Sequence, residues 1–102
     1  MLYAVLLSDN PGKADIRPRL MPAHLEFLER HRAEIRAAGP LIEPDGCGAG
    51  GLWLVEAEDP AAVRALLERD PFWPTGLRQS VRILEWRQVF AEGRRRQKHR
   101  RP

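Results

Sequence analysis

The sequence predicts an α+β domain with the element order β-α-β-β-α-β. Its 102 residues are the length of one domain, and 43% of them are hydrophobic, which is enough for one modest core. Short apolar runs of the kind that form strands lie at residues 2–8, 52–57 and 80–90. Apolar residues at helical spacing follow Pro22 and Pro60. This order is that of the ferredoxin-like βαββαβ fold, in which a four-stranded antiparallel sheet carries two helices on one face.

The first part of the chain divides into a strand, a loop and a helix. Residues 2–8 are apolar and end at turn-forming residues, and residues 9–19 are polar with two prolines, which predicts a loop. A helix is expected at residues 22–38, because Pro22 suits a first helical turn and Gly39-Pro40 would end the helix. Its apolar face is expected to consist of Leu25, Leu28 and Ile35.

A β-hairpin, a second helix and a last strand complete the order. The remaining strands are expected at residues 41–44, 52–57 and 80–90. The glycine-rich segment 45–50 would form the hairpin loop. Asp59 is a candidate N-cap for a helix at residues 60–69, and Pro71 ends that helix because it disfavours helical geometry at Asp70.

Both faces of the predicted sheet carry apolar side chains. In the last strand Val81 and Ile83 alternate with Leu84, and in the third strand Trp53 alternates with Leu54. Two helices can cover only one face, and the chain has no further element for the other. We therefore expect a homodimer, in which a second copy covers the open face to form a dimeric α+β barrel.

The net charge of +3 comes from the C-terminal segment. Residues 91–102 carry six Lys or Arg against Glu92 alone, so the first 90 residues hold 11 basic and 13 acidic groups. We expect a folded domain over residues 1–90 and a basic, disordered tail over residues 91–102. Nucleic acid would then bind at most weakly, through the tail.

Composition argues against several classes of protein. No apolar run approaches the ~18 residues of a membrane span, and the apolar start is too short for a signal peptide. The single cysteine, Cys47, allows no internal disulfide framework and no multi-cysteine metal site. The expected protein is cytoplasmic and has no membrane partner.

No cofactor or metal site is expected. The glycine run at residues 46–51 lacks the Lys-Ser/Thr of a P-loop and precedes a strand, which favours a hairpin loop. His31 lies two helical turns beyond His24, roughly 10.5 Å along the axis, so the two cannot share a metal ion. His31 is expected to be a packing residue, and Cys47 a solvated thiol.

The predicted topology brings four distant segments to one edge of the sheet, where the first strand ends. They carry Ser8 with Asp9, His24, the hairpin at residues 46–51, and Asp70 with Phe72 and Trp73. A histidine, a carboxylate and two aromatic rings at one edge are typical of a small-molecule pocket. In the first turn of its helix, His24 would be less readily protonated, whereas a nearby Asp70 carboxylate would favour the charged ring. The pair could exchange protons or could serve only as a structural hydrogen bond.

Several motifs in this order resemble those of the YCII-related proteins over residues 1 to about 90. The motifs are Pro22-Ala23-His24-Leu25, Ala38-Gly39-Pro40-Leu41, and Asp70-Pro71-Phe72 followed by Gly76-Leu77. The resemblance implies a dimeric ferredoxin-like domain with a His/Asp active centre, here His24 and Asp70. It also implies dehydrochlorination or isomerisation of ring-derived compounds, the activity in which a few relatives are implicated.

The leading hypothesis is a small-molecule enzyme of the isomerase or lyase type that transfers a proton through His24 and Asp70. Ser8, Arg19, Phe72 and Trp73 are the candidate substrate-binding residues. Some relatives are expected to carry a basic residue where this chain has Met21, and Arg17 and Arg19 could supply an anion contact instead. The alternatives are a non-catalytic dimeric module that binds a metabolite or accompanies another protein, and a nucleic-acid accessory that binds through its tail.

Overall fold

The computed structural model describes residues 1–96, and its elements follow the predicted order. They are β1 (Leu2–Asp9), α1 (Ile16–Arg30), β2 (Ile35–Ile42), β3 (Gly48–Glu56), α2 (Pro60–Leu67), a 3-10 turn (Trp73–Thr75), β4 (Arg78–Glu85), and a short hairpin of β5 (Phe90–Ala91) and β6 (Arg94–Arg95). No helix within residues 1–96 is long and apolar enough to cross a membrane.

The four long strands form one antiparallel sheet in the order β2-β3-β1-β4. Central β1 pairs on both sides, so that Tyr3 lies opposite Val55 of β3 and Glu85 of β4. Together with two helices, this strand order confirms the α+β ferredoxin-like fold that the sequence predicts.

The core lies between the two helices and one face of the sheet. The strands contribute alternate residues to it, namely Tyr3, Val5, Leu7, Ile35, Trp53 and Val55. The helices contribute Phe27, Val63, Leu66 and Leu67. Burial of each such side chain contributes roughly 1.5–3 kcal/mol. A second buried cluster of Ile16, Phe72 and Leu77 joins the start of α1 to the segment after α2.

Helix α1 differs from its predicted bounds of 22–38, since it begins at Ile16 and ends at Arg30. Burial at both ends accounts for the shift, because Ile16 packs in the second cluster and Ile35 pairs with β3 instead of extending the helix. Gly39-Pro40 therefore lies in β2, an edge strand in which a proline is tolerated. Pro22 is inside the helix rather than in its first turn.

Two further consequences follow from the new bounds of α1. His24 is the ninth of its 15 residues, so the expected influence of the helix N-terminus on this histidine does not apply. Leu25, expected on the apolar face, is 50% exposed.

Helix α2 begins as predicted. The Asp59 carboxylate accepts a hydrogen bond of 2.8 Å from the backbone N–H of Ala62, and Pro60 occupies the first helical position. This arrangement is a side-chain N-cap followed by the residue whose fixed φ suits helix entry. The helix ends at Leu67, and the loop that follows it carries Asp70 and Phe72.

The C-terminal region departs from the prediction of a strand at residues 80–90 and a disordered tail from residue 91. β4 ends at Glu85, and Phe90–Ala91 pairs with Arg94–Arg95 in a separate hairpin. The turn at Gly93 has a φ of 78°, which a residue without a Cβ adopts readily. The start of the predicted tail is thus ordered, and residues 97–102 lie outside the described residues.

The second face of the sheet is apolar, and both helices lie on the other side. Leu6, Leu52 and Leu54 are half-buried on this face, while Leu84 and Trp86 are 41% and 44% exposed. A cavity of about 620 Å³ opens at one end of the face, lined by residues that include Leu54, Trp86, Glu92 in the turn of the hairpin and Arg96 just after β6.

Candidate active site

His24 and Asp70 meet between the middle of α1 and the loop after α2. The His24 Nδ1 atom lies 2.8 Å from the Asp70 Oδ1 atom, within the hydrogen-bonding reach that the topology predicts. Both residues are buried, with exposed fractions of 7% and 3%. The Asp70 Oδ1 atom also accepts a hydrogen bond of 3.3 Å from the backbone N–H of Phe72. One carboxylate oxygen therefore holds both the imidazole and the following loop.

The contact with Asp70 determines which nitrogen of His24 is available to a ligand. A carboxylate can only accept hydrogen bonds, so Nδ1 is the donor and Nε2 carries a lone pair in the neutral ring. The ring of Phe72 stacks on the imidazole at 4.2 Å with an interplanar angle of 17°, and Trp53 lies 6.0 Å away. These two aromatic rings fix the orientation of the imidazole.

A cavity of about 100 Å³ lies beside His24, between α1 and strands β2 and β3. Its wall is largely apolar and includes Met21 and Trp53. The polar side chains that line it are His24, Arg17 and Arg78. A small apolar cavity with a few polar groups is the usual form of a small-molecule site.

Arg17 and Arg78 are both held by Asp9. Arg17 donates to the Asp9 Oδ2 atom from Nη2 at 2.8 Å and from Nε at 3.2 Å. Arg78 donates from Nη1 to the Asp9 Oδ1 atom at 3.0 Å. A β-bulge in the pairing of β1 with β4 falls between Ser8 and Asp9, at the point where β1 reaches this site.

The Arg78 side chain is only 6% exposed. Burial lowers the pKa of Arg78 from its ordinary value, while the hydrogen bond and charge of Asp9 act in the opposite direction. The guanidinium stays charged because arginine has so high an intrinsic pKa. Arg78 thus places a fixed, partly desolvated positive charge beside the cavity.

The four predicted substrate-binding residues do not line the cavity beside His24. Ser8 follows the core residue Leu7, so its side chain points to the opposite face, where it shares a hydrogen bond with Ser80. The Arg19 side chain is 64% exposed, and its Nη2 atom lies 3.8 Å from the Asp15 Oδ2 atom. Ser8 and Arg19 therefore stand apart from the pair.

The two predicted aromatic residues have different positions. Phe72 is fully buried, and its ring stacks on the imidazole of His24 without lining the cavity. Trp73 is only partly buried, and the Arg64 guanidinium lies 5.1 Å from the centre of its ring. Trp73 lines a separate cavity of about 260 Å³, and Arg78 is also part of the wall of that cavity.

The cavity contains residues that the sequence analysis did not select. The sequence predicts Trp53 only as a residue of the third strand, and it leaves Arg78 without a role, since the last strand is expected to begin at residue 80. The signal for Arg78 is the pairing of β1 with β4, which sets it opposite Asp9. Within the described part of the chain, no three His, Cys, Asp or Glu side chains are grouped so that they could hold a metal ion.

Comparison with known proteins gives consistent results in sequence and in structure. Residues 1–87 match the model of the YCII-related domain. Protein YciI of Escherichia coli and Protein YciI of Shigella flexneri are each 29% identical over 98 residues, which covers 88% of this chain and all of the relative.

A similar solved structure is a 5-chloro-2-hydroxyhydroquinone dehydrochlorinase from Burkholderia phenoliruptrix, in complex with 2,5-dihydroxybenzoquinone. It is 31% identical to this chain, with a TM-score of 0.73, and the match covers 84% of this chain and 93% of the other. With the domain match spanning 87 of 102 residues, the chain belongs to the YCII-related family.

Proposed function

We propose that this protein is an enzyme of the isomerase or lyase type that acts on a small, ring-derived compound. His24 takes and returns a proton, and Asp70 orients it. The observation that carries the proposal is the buried hydrogen bond between His24 and Asp70 at the wall of a small cavity. The similarity to a dehydrochlorinase of a chlorinated hydroquinone supports the class of substrate.

The proposed proton transfer uses the free nitrogen of His24. The Nε2 atom accepts a proton from the substrate, so that a bond to hydrogen breaks and its electron pair stays on the substrate. Asp70 stabilises the resulting imidazolium through Nδ1–H, as a buried carboxylate does in other acid–base pairs. Return of the proton to another atom completes an isomerisation, and departure of a leaving group completes an elimination.

The direct test compares the release of chloride from a chlorinated hydroxyhydroquinone by the wild-type protein, His24→Gln and His31→Gln. His31 is the matched control, because it lies on the helical side of the core and packs on Phe27, away from the cavity lining. We expect loss of turnover by about 10²-fold or more in His24→Gln and little change in His31→Gln. Equal turnover in the two variants would contradict the proposed role of His24.

The alternative function is a non-catalytic module that binds a metabolite. It is favoured by the double role of the Asp70 Oδ1 atom, which ties α1 to the loop after α2 and so has a structural use without catalysis. This alternative predicts ligand binding to the wild-type protein without conversion of any ring compound. It also predicts that Asp70→Asn weakens stability and ligand binding together.

A homodimer belongs to the same proposal. Its support is the apolar second face of the sheet, with half-buried Leu54 and Leu6 beside exposed Trp86. Sedimentation of the wild-type protein should give twice the mass of one chain. The Leu54→Glu variant should sediment with the mass of a single chain. Ala61→Glu, on the exposed side of α2, is the control and should stay dimeric. A folded wild-type monomer at micromolar concentration would overturn this part.

A cytoplasmic location and a minor role for the tail complete the proposal. One cysteine in 102 residues suits a chain that needs no disulfide. The basic residues after position 93 would give weak, salt-sensitive affinity for polyanions and leave the site unaffected.

A further inference from the structure

The C-terminal hairpin of β5 and β6 exposes an apolar and a basic side chain on one of its faces. Phe90 lies opposite Arg95, and residues paired across an antiparallel ladder project to the same side. Phe90 is 61% exposed, and Arg95 is exposed beside it. The ion pair of this hairpin joins Arg96 to Glu92 and leaves Arg95 without an acidic neighbour among residues 1–96.

The end of β2 carries a matching pair, one apolar and one acidic. Pro40 lines the cavity beside His24 on the helical side of the sheet, so the next residue, Leu41, projects from the second face. Glu43 follows two residues later and continues the pairing, because its backbone N–H donates to the carbonyl oxygen of Cys47 at 2.7 Å. Glu43 therefore lies on the same side as Leu41, and both are exposed.

Within one chain these two pairs lie at opposite ends of the sheet. Glu92 and Arg96, in the turn and at the end of the hairpin, line the cavity of about 620 Å³ together with Arg36. The hairpin therefore borders the start of β2 on the second face of the sheet. Five residues of strand separate Arg36 from Leu41, a distance of about 17 Å. The two pairs are thus apart in a single chain, and a second copy can bring them together.

The direction of the two-fold axis of a dimer decides which ends of the sheets meet. When two sheets pack face to face, an axis across the strands reverses them, so the start of β2 in one copy lies over the end of β2 in the other. An axis along the strands instead sets hairpin against hairpin. The second arrangement opposes like charges, whereas the first opposes the arginines of the hairpin to the exposed Glu43 and Asp45 of the β2–β3 turn.

We propose that the hairpin of each copy docks at the end of β2 of the other, with Phe90 against the partner's Leu41 and Arg95 against the partner's Glu43. The inference rests on the homodimer of the proposed function and assigns its two-fold axis. Burial of the apolar pair supplies most of the affinity, because an exposed ion pair contributes little and mainly fixes orientation. The hairpin follows residue 87, where the match to the family domain ends, so the contact lies outside that domain.

Chemical cross-linking tests which residues meet between the two copies. Phe90→Cys and Leu41→Cys are combined in one chain with Cys47→Ser, which removes the native exposed thiol, and the protein is treated with a short bismaleimide. We expect covalent dimers on a denaturing gel for this pair and little cross-linking for either cysteine alone. The control pair is Phe90→Cys with Ala61→Cys, on the exposed side of α2, which should cross-link no more than Phe90→Cys alone.

Charge exchange, followed by sedimentation, tests the ion pair. Arg95→Glu and Glu43→Arg each oppose like charges and should raise the dimer dissociation constant about fivefold or more. The double variant restores opposite charges and should return the constant to near that of the wild type. The control is Arg69→Glu, an equal change of charge at an exposed residue after α2, which should leave the constant unchanged. Phe90→Ser should raise it about tenfold or more, because the contact is lost at two symmetric places.

The outcomes separate this contact from the homodimer itself. If the wild-type protein is a dimer that Leu54→Glu dissociates, while Phe90→Ser and the charge variants change nothing, the hairpin contact is wrong and the homodimer stands. If Phe90→Cys alone cross-links efficiently, hairpin meets hairpin and the assigned axis is wrong. Should Phe90→Ser not fold, the charge exchange decides the matter, since a double variant that stays weak overturns the contact. A wild-type monomer overturns both the homodimer and the contact.

Discussion

Replacement of Asp70 tests how much of the fold and of the site depends on one buried carboxylate. Its Oδ1 atom accepts hydrogen bonds from His24 Nδ1 at 2.8 Å and from the Phe72 backbone N–H at 3.3 Å. Asp70→Ala leaves both donors buried without an acceptor, and each costs about 1–3 kcal/mol. The free energy of unfolding should therefore fall by about 2–6 kcal/mol.

Asp70→Asn is the conservative partner of that change. An asparagine oxygen can keep both hydrogen bonds but loses the charge, and a charge-assisted bond is roughly twice as strong as a neutral one. We expect a loss of about 1–2 kcal/mol in the free energy of unfolding, with the fold retained. Turnover should fall severely, because the imidazolium of His24 loses its counter-charge.

Urea unfolding followed by tryptophan fluorescence is the suitable assay, because Trp53 lies buried in the core beside His24. The control is Asp15→Ala, since the Asp15 side chain is exposed and makes no capping hydrogen bond. The control should cost less than about 1 kcal/mol. Equal losses for Asp70→Ala and Asp15→Ala, or a greater loss for Asp70→Asn than for Asp70→Ala, would refute the reasoning.

Three further predictions concern the frame around the site. Gly50→Ala should lower the free energy of unfolding by at least about 2 kcal/mol, because φ at this position is +94° and an added Cβ would lie 2.0 Å from the Leu7 carbonyl oxygen. The control is Gly48→Ala, whose added Cβ meets no atom within 4 Å and which should leave the free energy of unfolding in urea nearly unchanged. Asp59→Ala should lower the free energy of unfolding by about 1 kcal/mol through loss of the N-cap, and a thermal melt identical to that of wild type would count against it. Removal of residues 91–102 should abolish salt-sensitive retention on heparin and leave ligand binding unchanged, and retention by the truncated chain would assign the basic surface to the domain.

The sequence predicted elements well where local signals and tertiary burial agree. Helix α2 begins where Asp59 and Pro60 predict, and strand β1 ends one residue beyond its predicted bound. The signals disagree around α1. Pro22 and Gly39-Pro40 favour a helix at residues 22–38, whereas the burial of Ile16 and Ile35 favours the observed helix, Ile16–Arg30. Burial determines the result, so the helix lies nearer the N-terminus than its prolines suggest.

The site was predictable to the extent that it depends on topology. His24 and Asp70 come together because the order of elements brings α1 and the end of α2 to one region, which needs no exact helix bounds. The contribution of Arg78 depends on the register of β4 against β1, and one sequence does not specify register across non-consecutive strands. Ser8 illustrates the same limit, because its face of the sheet is set by the alternation along β1.

The most direct test of the central claim is an NMR measurement of the ring nitrogens of His24. The account predicts a neutral ring with the proton on Nδ1, held by Asp70, and a bare Nε2 whose resonance moves when 2,5-dihydroxybenzoquinone is added. His31 supplies an internal reference that should not respond. A ring protonated on Nε2 with a bare Nδ1, or an Nε2 resonance unchanged in a protein that binds the compound, would contradict the assignment of His24 as the group that takes the proton.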